Sequence, residues 1–181
     1  MLSLLLWPSL AAAASYRVHL AATGVRALDR ALAASSNLLA LGKSAPVGGF
    51  ALVTRAQGDV ARLQTALESE GYYAGAVAIS VDGRDVGDAG LPELLDHQPA
   101  DEVVPVVIKV KPGPLFHLRR VTLAGAVPAD VKDKLLPVAA GYPAVAADIL
   151  AAQDRLLNAL REDGFALATV PAPVATEKTP N

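Results

Sequence analysis

The chain repeats itself. Shifted by 93 positions, Arg62, Leu63, Ala66, Leu67, Gly71 and Val77 fall on Arg155, Leu156, Ala159, Leu160, Gly164 and Val170. In both copies the glycine closes a helical pattern, and an aromatic, Tyr72 or Phe165, follows before strand-like sequence resumes. Helical spacing accounts for the leucines but not for the glycine–aromatic–strand continuation. A period this long means two related small domains rather than a solenoid of short units. With 181 residues in all, each copy has room for only a modest core.

Composition narrows the chemistry. Hydrophobic residues make up 52% but aromatics only 4%, so that core is built from small aliphatic side chains. Sixteen basic residues against eighteen acidic ones argue against a general nucleic-acid partner. The absence of cysteine excludes disulfide scaffolds, thiol nucleophiles and cysteine-held zinc or iron–sulfur sites.

Residues 1–15 read as a signal peptide. Met1–Ala14 is apolar, is interrupted by Pro8 and ends in small residues, and cleavage is expected between Ala13 and Tyr16. The run is too short to cross a bilayer core, which takes roughly 20 helical residues. No Lys or Arg precedes it, and the first basic residue is Arg17. The expected location is outside the cytoplasm.

Beyond the leader, patterns alternate. Tyr16–Ala21 reads as a strand and Val25–Leu41 as a helix with a break near Ser36. Lys43–Gly49 reads as loop. Asp59–Glu70 is a helical pattern with Asp59 as N-cap and Gly71 as its left-handed end. Tyr73–Asp82 is strand-like with Val77, Ile79 and Val81 on one face, and Val103–Lys111 is the next strand, Lys109 and Lys111 on its polar face. The second half restarts the order. Leu118–Leu123 is strand-like, Ala129–Leu136 helical, a longer helix opens at Pro143 and ends at Gly164, and Phe165–Val170 is extended.

A strand–helix–helix–strand–strand unit whose second helix ends in Gly71-Tyr72-Tyr73 resembles the POTRA domain. Three stretches carry the resemblance: Asp59 to Leu63 running on to Tyr73, the junction Val110-Lys111-Pro112-Gly113-Pro114-Leu115-Phe116, and Val121-Thr122-Leu123-Ala124-Gly125. Such domains precede the barrel in the BamA/TamA superfamily of outer-membrane assembly proteins, and the TamA branch is the most similar. The resemblance implies an α+β fold of tandem β-α-α-β-β units, each a small three-stranded sheet with two helices on one face. It divides the chain into a first domain over 16–112 and a second over 113–181. The candidate domain junction is Pro112, Gly113 and Pro114, a stiff and extended link.

Function follows from the same resemblance. The chain is expected to be a periplasmic part of an outer-membrane protein or autotransporter assembly factor, binding or guiding unfolded outer-membrane β-proteins. Its other implied partners are a TamB-type inner-membrane protein and its own C-terminal barrel. A sheet covered on one side leaves an edge open to an extended peptide. In the family the second strand is that edge, which makes Val77, Ile79 and Val81 the candidate client-docking residues. A BamA-like insertase, a two-partner secretion transporter, or a small secreted enzyme or ligand-binding protein are the alternatives.

Two departures from the family pattern stand out. After Val170-Pro171-Ala172-Pro173 the sequence turns polar, so the second unit is expected to lack its last strand, the central one in the family, and to expose apolar helix surface. No alternating barrel strands are present in the sequence, so the chain is expected to be a fragment of a longer protein. The other departure is Gly83–Glu102, twenty residues between strands that a tight turn could join. It is expected to be either a tolerated surface insertion or, through a helical turn at Leu91–His97, a partner contact.

Catalytic readings find little. His19, His97 and His117 have no metal-ligand spacing. Asp82–Glu93 has the outline of a calcium loop, but Arg84 and Val86 stand at two ligand positions. No nucleophile elbow or phosphate loop appears. The expectation is a non-enzymatic protein with no cofactor, metal or catalytic residue.

Overall fold

The computed structural model describes residues 15–42, 48–99, 102–125, 128 and 138–176. The leader, most of the 43–49 loop and the expected helix Ala129–Leu136 lie outside them. Among the described residues the elements run β1 (Ser15–Leu20), α1 (Arg26–Ser35), α2 (Asn37–Leu41), α3 (Gly49–Ser69), β2 (Ala76–Val81), β3 (Arg84–Asp85), α4 (Leu91–Asp96), β4 (Val103–Lys111) and α5 (Ala146–Glu162). The fold is α+β. Two compact units divide the chain: Met1–Ala66 with Ala76–Lys111, and Leu67–Gly75 with Pro112–Asn181.

The first unit holds a mixed sheet in the order β1-β4-β2-β3. The last strand lies inside it, β4 pairing parallel to β1 and antiparallel to β2. Register turns sequence alternation into layers. Val18, Val106 and Val81 line up across three strands, and Leu20, Ile108 and Ile79 form the next row. These side chains face inward, and Val81, Val106, Ile79 and Ile108 are fully buried. The opposite face carries Arg17, His19, Lys109 and Lys111 in the open, so one side of the sheet is packed and the other is wet.

The break at Ser36 is real and is built, not merely tolerated. Ser36 leaves helical geometry (φ −85°, ψ 118°), and its Oγ accepts a hydrogen bond from the Leu39 N–H, capping α2. Asp59 does not cap the helix it belongs to. That helix starts ten residues earlier, at Gly49, because Leu52, Ala56, Asp59, Leu63 and Ala66 continue one buried face across the start expected from sequence. From inside α3, Asp59 caps α2 instead, accepting from the N–H groups of Asn37 (3.0 Å) and Leu38 (2.8 Å).

The 83–102 excursion is neither a loose insertion nor an exposed contact helix. Asp82 (φ 51°) and Gly83 (φ 75°) make a two-residue turn into β3, with the positive φ pair of a type I′ hairpin. Val86, Leu91 and Leu95 are buried. Asp96 Oδ1 accepts from the Gly49 N–H at the start of α3 (2.9 Å), and Gln57 donates to the Val86 carbonyl (3.2 Å). The excursion therefore closes the core and caps a helix.

The second unit has the end of α3, the helix α5 and loops, but no sheet among its described residues. The strands expected at Leu118–Leu123 and Phe165–Val170 do not form; an isolated bridge joins His117 to Pro143. The reason is visible in the first unit, where β1 and β2 are joined through β4 and not to each other. With no third strand between them among the described residues, two such segments have nothing there to bond to. Here α5, which begins three residues after Pro143, buries Leu156 and Ala159 against Leu123, Leu160 and Val170.

Candidate strand-docking sites

Two backbone hydrogen bonds fix which way the backbone of β2 faces. Asp82 donates from its N–H to the Pro105 carbonyl of the β4 side (2.8 Å), and the Ile79 carbonyl accepts from Val86 on the β3 side (3.1 Å). Antiparallel strands alternate, so Ala76, Ala78 and Ser80 direct their N–H and C=O groups to β4. Val77, Ile79 and Val81 direct theirs to the outer edge. That edge is already in use at Ile79 through the Val86 amide and at Val81 through Arg84. Among the described residues, the outer side of Ala76–Ala78 has no strand partner, with Val77 as its outward-bonding residue. The side chains of Val77, Ile79 and Val81 share the packed face, the first half-buried and the other two at 1% and 0% exposure. At the far side of the sheet, β1 pairs only with β4.

The expected junction is not simply extended. Gly113 has φ +69°, left-handed geometry, and a Cβ there would stand 3.1 Å from the Ala74 carbonyl oxygen. Around it the second unit packs the residues that follow α3. Tyr73 meets Phe116 edge to face with ring centroids 5.5 Å apart, and its hydroxyl donates to the Ala144 carbonyl (3.0 Å). Phe116 donates from its N–H to the Gly71 carbonyl (2.9 Å). Tyr73 thus anchors to Phe116 and Ala144, a pairing that spacing in the sequence does not signal, rather than to a sheet.

The repeat is exact in geometry at the helix ends. Gly71 (φ +90°) donates to the Glu68 carbonyl and Tyr72 to that of Leu67; Gly164 (φ +94°) donates to Arg161 and Phe165 to Leu160. Both are the paired bonds of a Schellman motif.

Beyond the second helix end lies an apolar groove of about 1050 Å³. Ile149, Leu156 and Leu160 of α5 form its floor, with 121–125 on one wall and 164–174 on the other. Gln153 reaches across to donate to the Val170 carbonyl (3.0 Å). Around it large apolar side chains face water, Leu167 at 95% and Val174 at 91% exposure, with Phe165 and Leu150 half exposed.

The titratable groups are structural where their contacts are defined. Asp85 and Asp88, inside the stretch with the outline of a calcium loop, accept from the N–H groups of Gly87 and Gly90 within their own turns. The Gly90 N–H and then Arg84 hold the Asp88 carboxyl below its ordinary value. Among the described residues no three His, Asp or Glu side chains gather as metal ligands, and no helix is long and apolar enough to cross a membrane. His19, His97 and His117 are exposed in separate elements. No family model and no curated protein matches the chain.

Proposed function

We propose that the chain is a tandem of POTRA-like units from the periplasmic part of a TamA-type outer-membrane assembly factor, and that it binds unfolded β-rich clients on their way to a barrel. The observation that carries this reading is the strand order. A last strand held between β1 and β2, with the other face open, agrees with the central last strand the resemblance implies, while β3 adds a fourth strand beside β2 where the resemblance implies three. The duplicated Schellman ends support the tandem. At the open stretch Ala76–Ala78 the outward N–H and C=O of Val77 give an extended client a donor and an acceptor to bond, in the mode of strand addition. In this reading a TamB-type inner-membrane protein and the barrel are the further partners.

The groove of the second unit does not favour a small-molecule binder. A ligand site combines an apolar lining with a few convergent polar groups. Here the lining offers little beyond Thr122, Gln153 and Thr169, and the Gln153 amide is engaged by Val170.

The test is binding of an unfolded outer-membrane barrel protein to the chain, followed by site-specific cross-linking from Val77 and, as a control, from the buried side of β4. Cross-links from Val77 that persist with a non-β competitor present and vanish with an excess of unlabelled β-rich client support the reading. Absence of binding to both clients and a TamB-type partner would sink it.

A further inference from the structure

We infer that the outer edge of β1 is a further docking strand, and that it takes an extended peptide alternating aliphatic with acidic residues. Backbone direction comes first. Ala21 donates from its N–H to the Ile108 carbonyl (2.9 Å), one step beyond the parallel pair Leu20–Ile108. Alternate residues of a strand bond to the same side, so Ser15, Arg17 and His19 also face β4. Tyr16, Val18 and Leu20 therefore direct their N–H and C=O groups away from the sheet. Among the described residues none of the three has a backbone partner there. Three outward-bonding residues stand in this edge, where the open stretch of β2 has Val77. The strand is also held in place. Its six residues pair with β4, and the Tyr16 hydroxyl donates to the Leu38 carbonyl (3.2 Å) and accepts from Arg55 (2.7 Å). An edge already fixed costs little further ordering when a peptide adds to it.

Side chains specify the two faces of the peptide. Beside the edge, the wet face carries Arg17 and His19 on β1 and Lys109 and Lys111 on β4. All four are exposed and none has an ion pair among the described residues. Asp82 and Asp85 lie on the β2–β3 side of the sheet, where Gln98 and the Gly87 N–H bond them. An incoming strand sets every second side chain next to Arg17 and His19, where carboxylates complete cross-strand pairs and cations are repelled. Its other side chains meet Val18 and Leu20, both half-buried, and aliphatic groups there take apolar surface from water. The same charges disfavour a second copy. Two β1 edges meeting antiparallel would set Arg17 and His19 of one against those of the other, like charge against like.

This inference rests on the strand-addition reading but concerns a different edge, and each can fail alone. The isotope-labelled chain is titrated with synthetic peptides of about seven residues that alternate valine with glutamate, lysine or serine, and amide exchange is followed residue by residue. The glutamate peptide is expected to slow exchange at Val18 and Leu20 by about tenfold or more, with the Arg17 and His19 amides, already bonded to β4, little changed. The lysine peptide should protect neither, and a chain carrying Arg17→Glu and Lys109→Glu should exchange the two preferences. Equal protection by all three peptides overturns the inference. So does protection confined to Val77, a result that leaves strand addition at β2 standing. Protection of Val18 and Leu20 that grows with protein concentration and needs no peptide assigns the edge to a second copy instead. Vesicles of anionic phospholipid that shift the Arg17 and Lys109 resonances while the glutamate peptide shifts none make the wet face a lipid surface, and overturn it too.

Discussion

The Ser36 hydroxyl donates to Asp59 Oδ2 at 2.7 Å, joining two residues 23 positions apart, both almost fully buried. Around this bond the N-terminus of α2 is satisfied completely. Asp59 takes the N–H groups of Asn37 and Leu38, Ser36 Oγ takes that of Leu39, and Ala40 already bonds the Ser36 carbonyl. A five-residue helix has almost no intrinsic stability, so α2 exists because α3 holds its first turn. Arg62, one turn along α3, sits 3.3 Å from the same carboxylate.

Asp59→Ala strands a hydroxyl and two amide donors in the core and is expected to cost about 3 kcal/mol. Ser36→Ala removes one cap and should cost about 1 kcal/mol. Because the two residues share one network, the double variant should lose clearly less than the sum. Urea unfolding of all three chains checks this. An additive cycle would mean the bond contributes nothing of its own.

Gly49→Ala sets two effects against each other. In a helix interior alanine is favoured over glycine by about 1 kcal/mol. At Gly49, however, a Cβ would lie 2.7 Å from both Asp96 Oδ1 and the Leu95 Cβ, and 2.8 Å from the Pro92 carbonyl oxygen. Those contacts force α4 away and cost about 1–3 kcal/mol, outweighing the propensity gain. The variant should therefore lower the urea midpoint. A raised midpoint would show that the 83–102 excursion gives way freely.

Much of the first unit was legible in its pattern, and the exceptions have physical causes. β1, β2 and β4 and the break at Ser36 are local signals, an alternating run or a capping residue, and each formed within a few residues of the expected limits. Asp59 misled because a carboxylate before an apolar helical run has the look of an N-cap, and sequence does not reveal that its donors come from a different helix. The Asp82-Gly83 dipeptide is a strong hairpin signal that went unread, since the flanking β3 is only two residues long. The segments 118–123 and 165–170 carry the right alternation but find no third strand among the described residues, and a strand is a property of pairs. The Tyr73–Phe116 contact depends on tertiary placement that no spacing records.

Client binding is best tested at Val77, not at Ala78. Ala78 points its backbone to Lys109 of β4, so a proline there removes a ladder bond inside the sheet at about 3 kcal/mol. Val77 points its N–H to the open edge. Val77→Pro should leave thermal unfolding within a few degrees of the parent while lowering client affinity about tenfold or more, as a lost edge donor would. Ala78→Pro should unfold the first unit. If Val77→Pro binds clients as well as the parent, the β2 edge is not the docking strand.

Asp29 gives the approach to α1 a pH dependence. The Thr23 hydroxyl (2.7 Å) and then the Thr23 N–H (2.8 Å) donate to Asp29 Oδ1 and hold its carboxyl below the ordinary carboxylate value. A folded-state pKa that is depressed contributes stability at pH values above the unfolded-state pKa, and that contribution is lost as pH falls through the folded value. Thr23→Val removes the larger cause and should raise the Asp29 midpoint in an NMR titration. An unchanged midpoint would mean the Thr23 hydroxyl does not hold the carboxylate in solution.

Gly71 and Gly164 close the two repeat helices with the same bonds, yet their substitution should differ. Both have φ near +90°, where a Cβ costs about 1 kcal/mol whatever the space around it. At Gly164 nothing lies within 4 Å of the added carbon, so Gly164→Ala should lose about that amount and no more. At Gly71 the Cβ would lie 3.0 Å from Leu115 Cδ1 and 3.4 Å from the Ala144 carbonyl oxygen. The same glycine's carbonyl accepts from Phe116, so the helix end has little freedom to move aside. Gly71→Ala should therefore cost about 1–2 kcal/mol more than Gly164→Ala and loosen the Tyr73–Phe116 contact. Equal losses in urea unfolding, with the Tyr73 and Phe116 ring resonances unshifted, would mean that the packing around Gly71 yields as easily as open solvent.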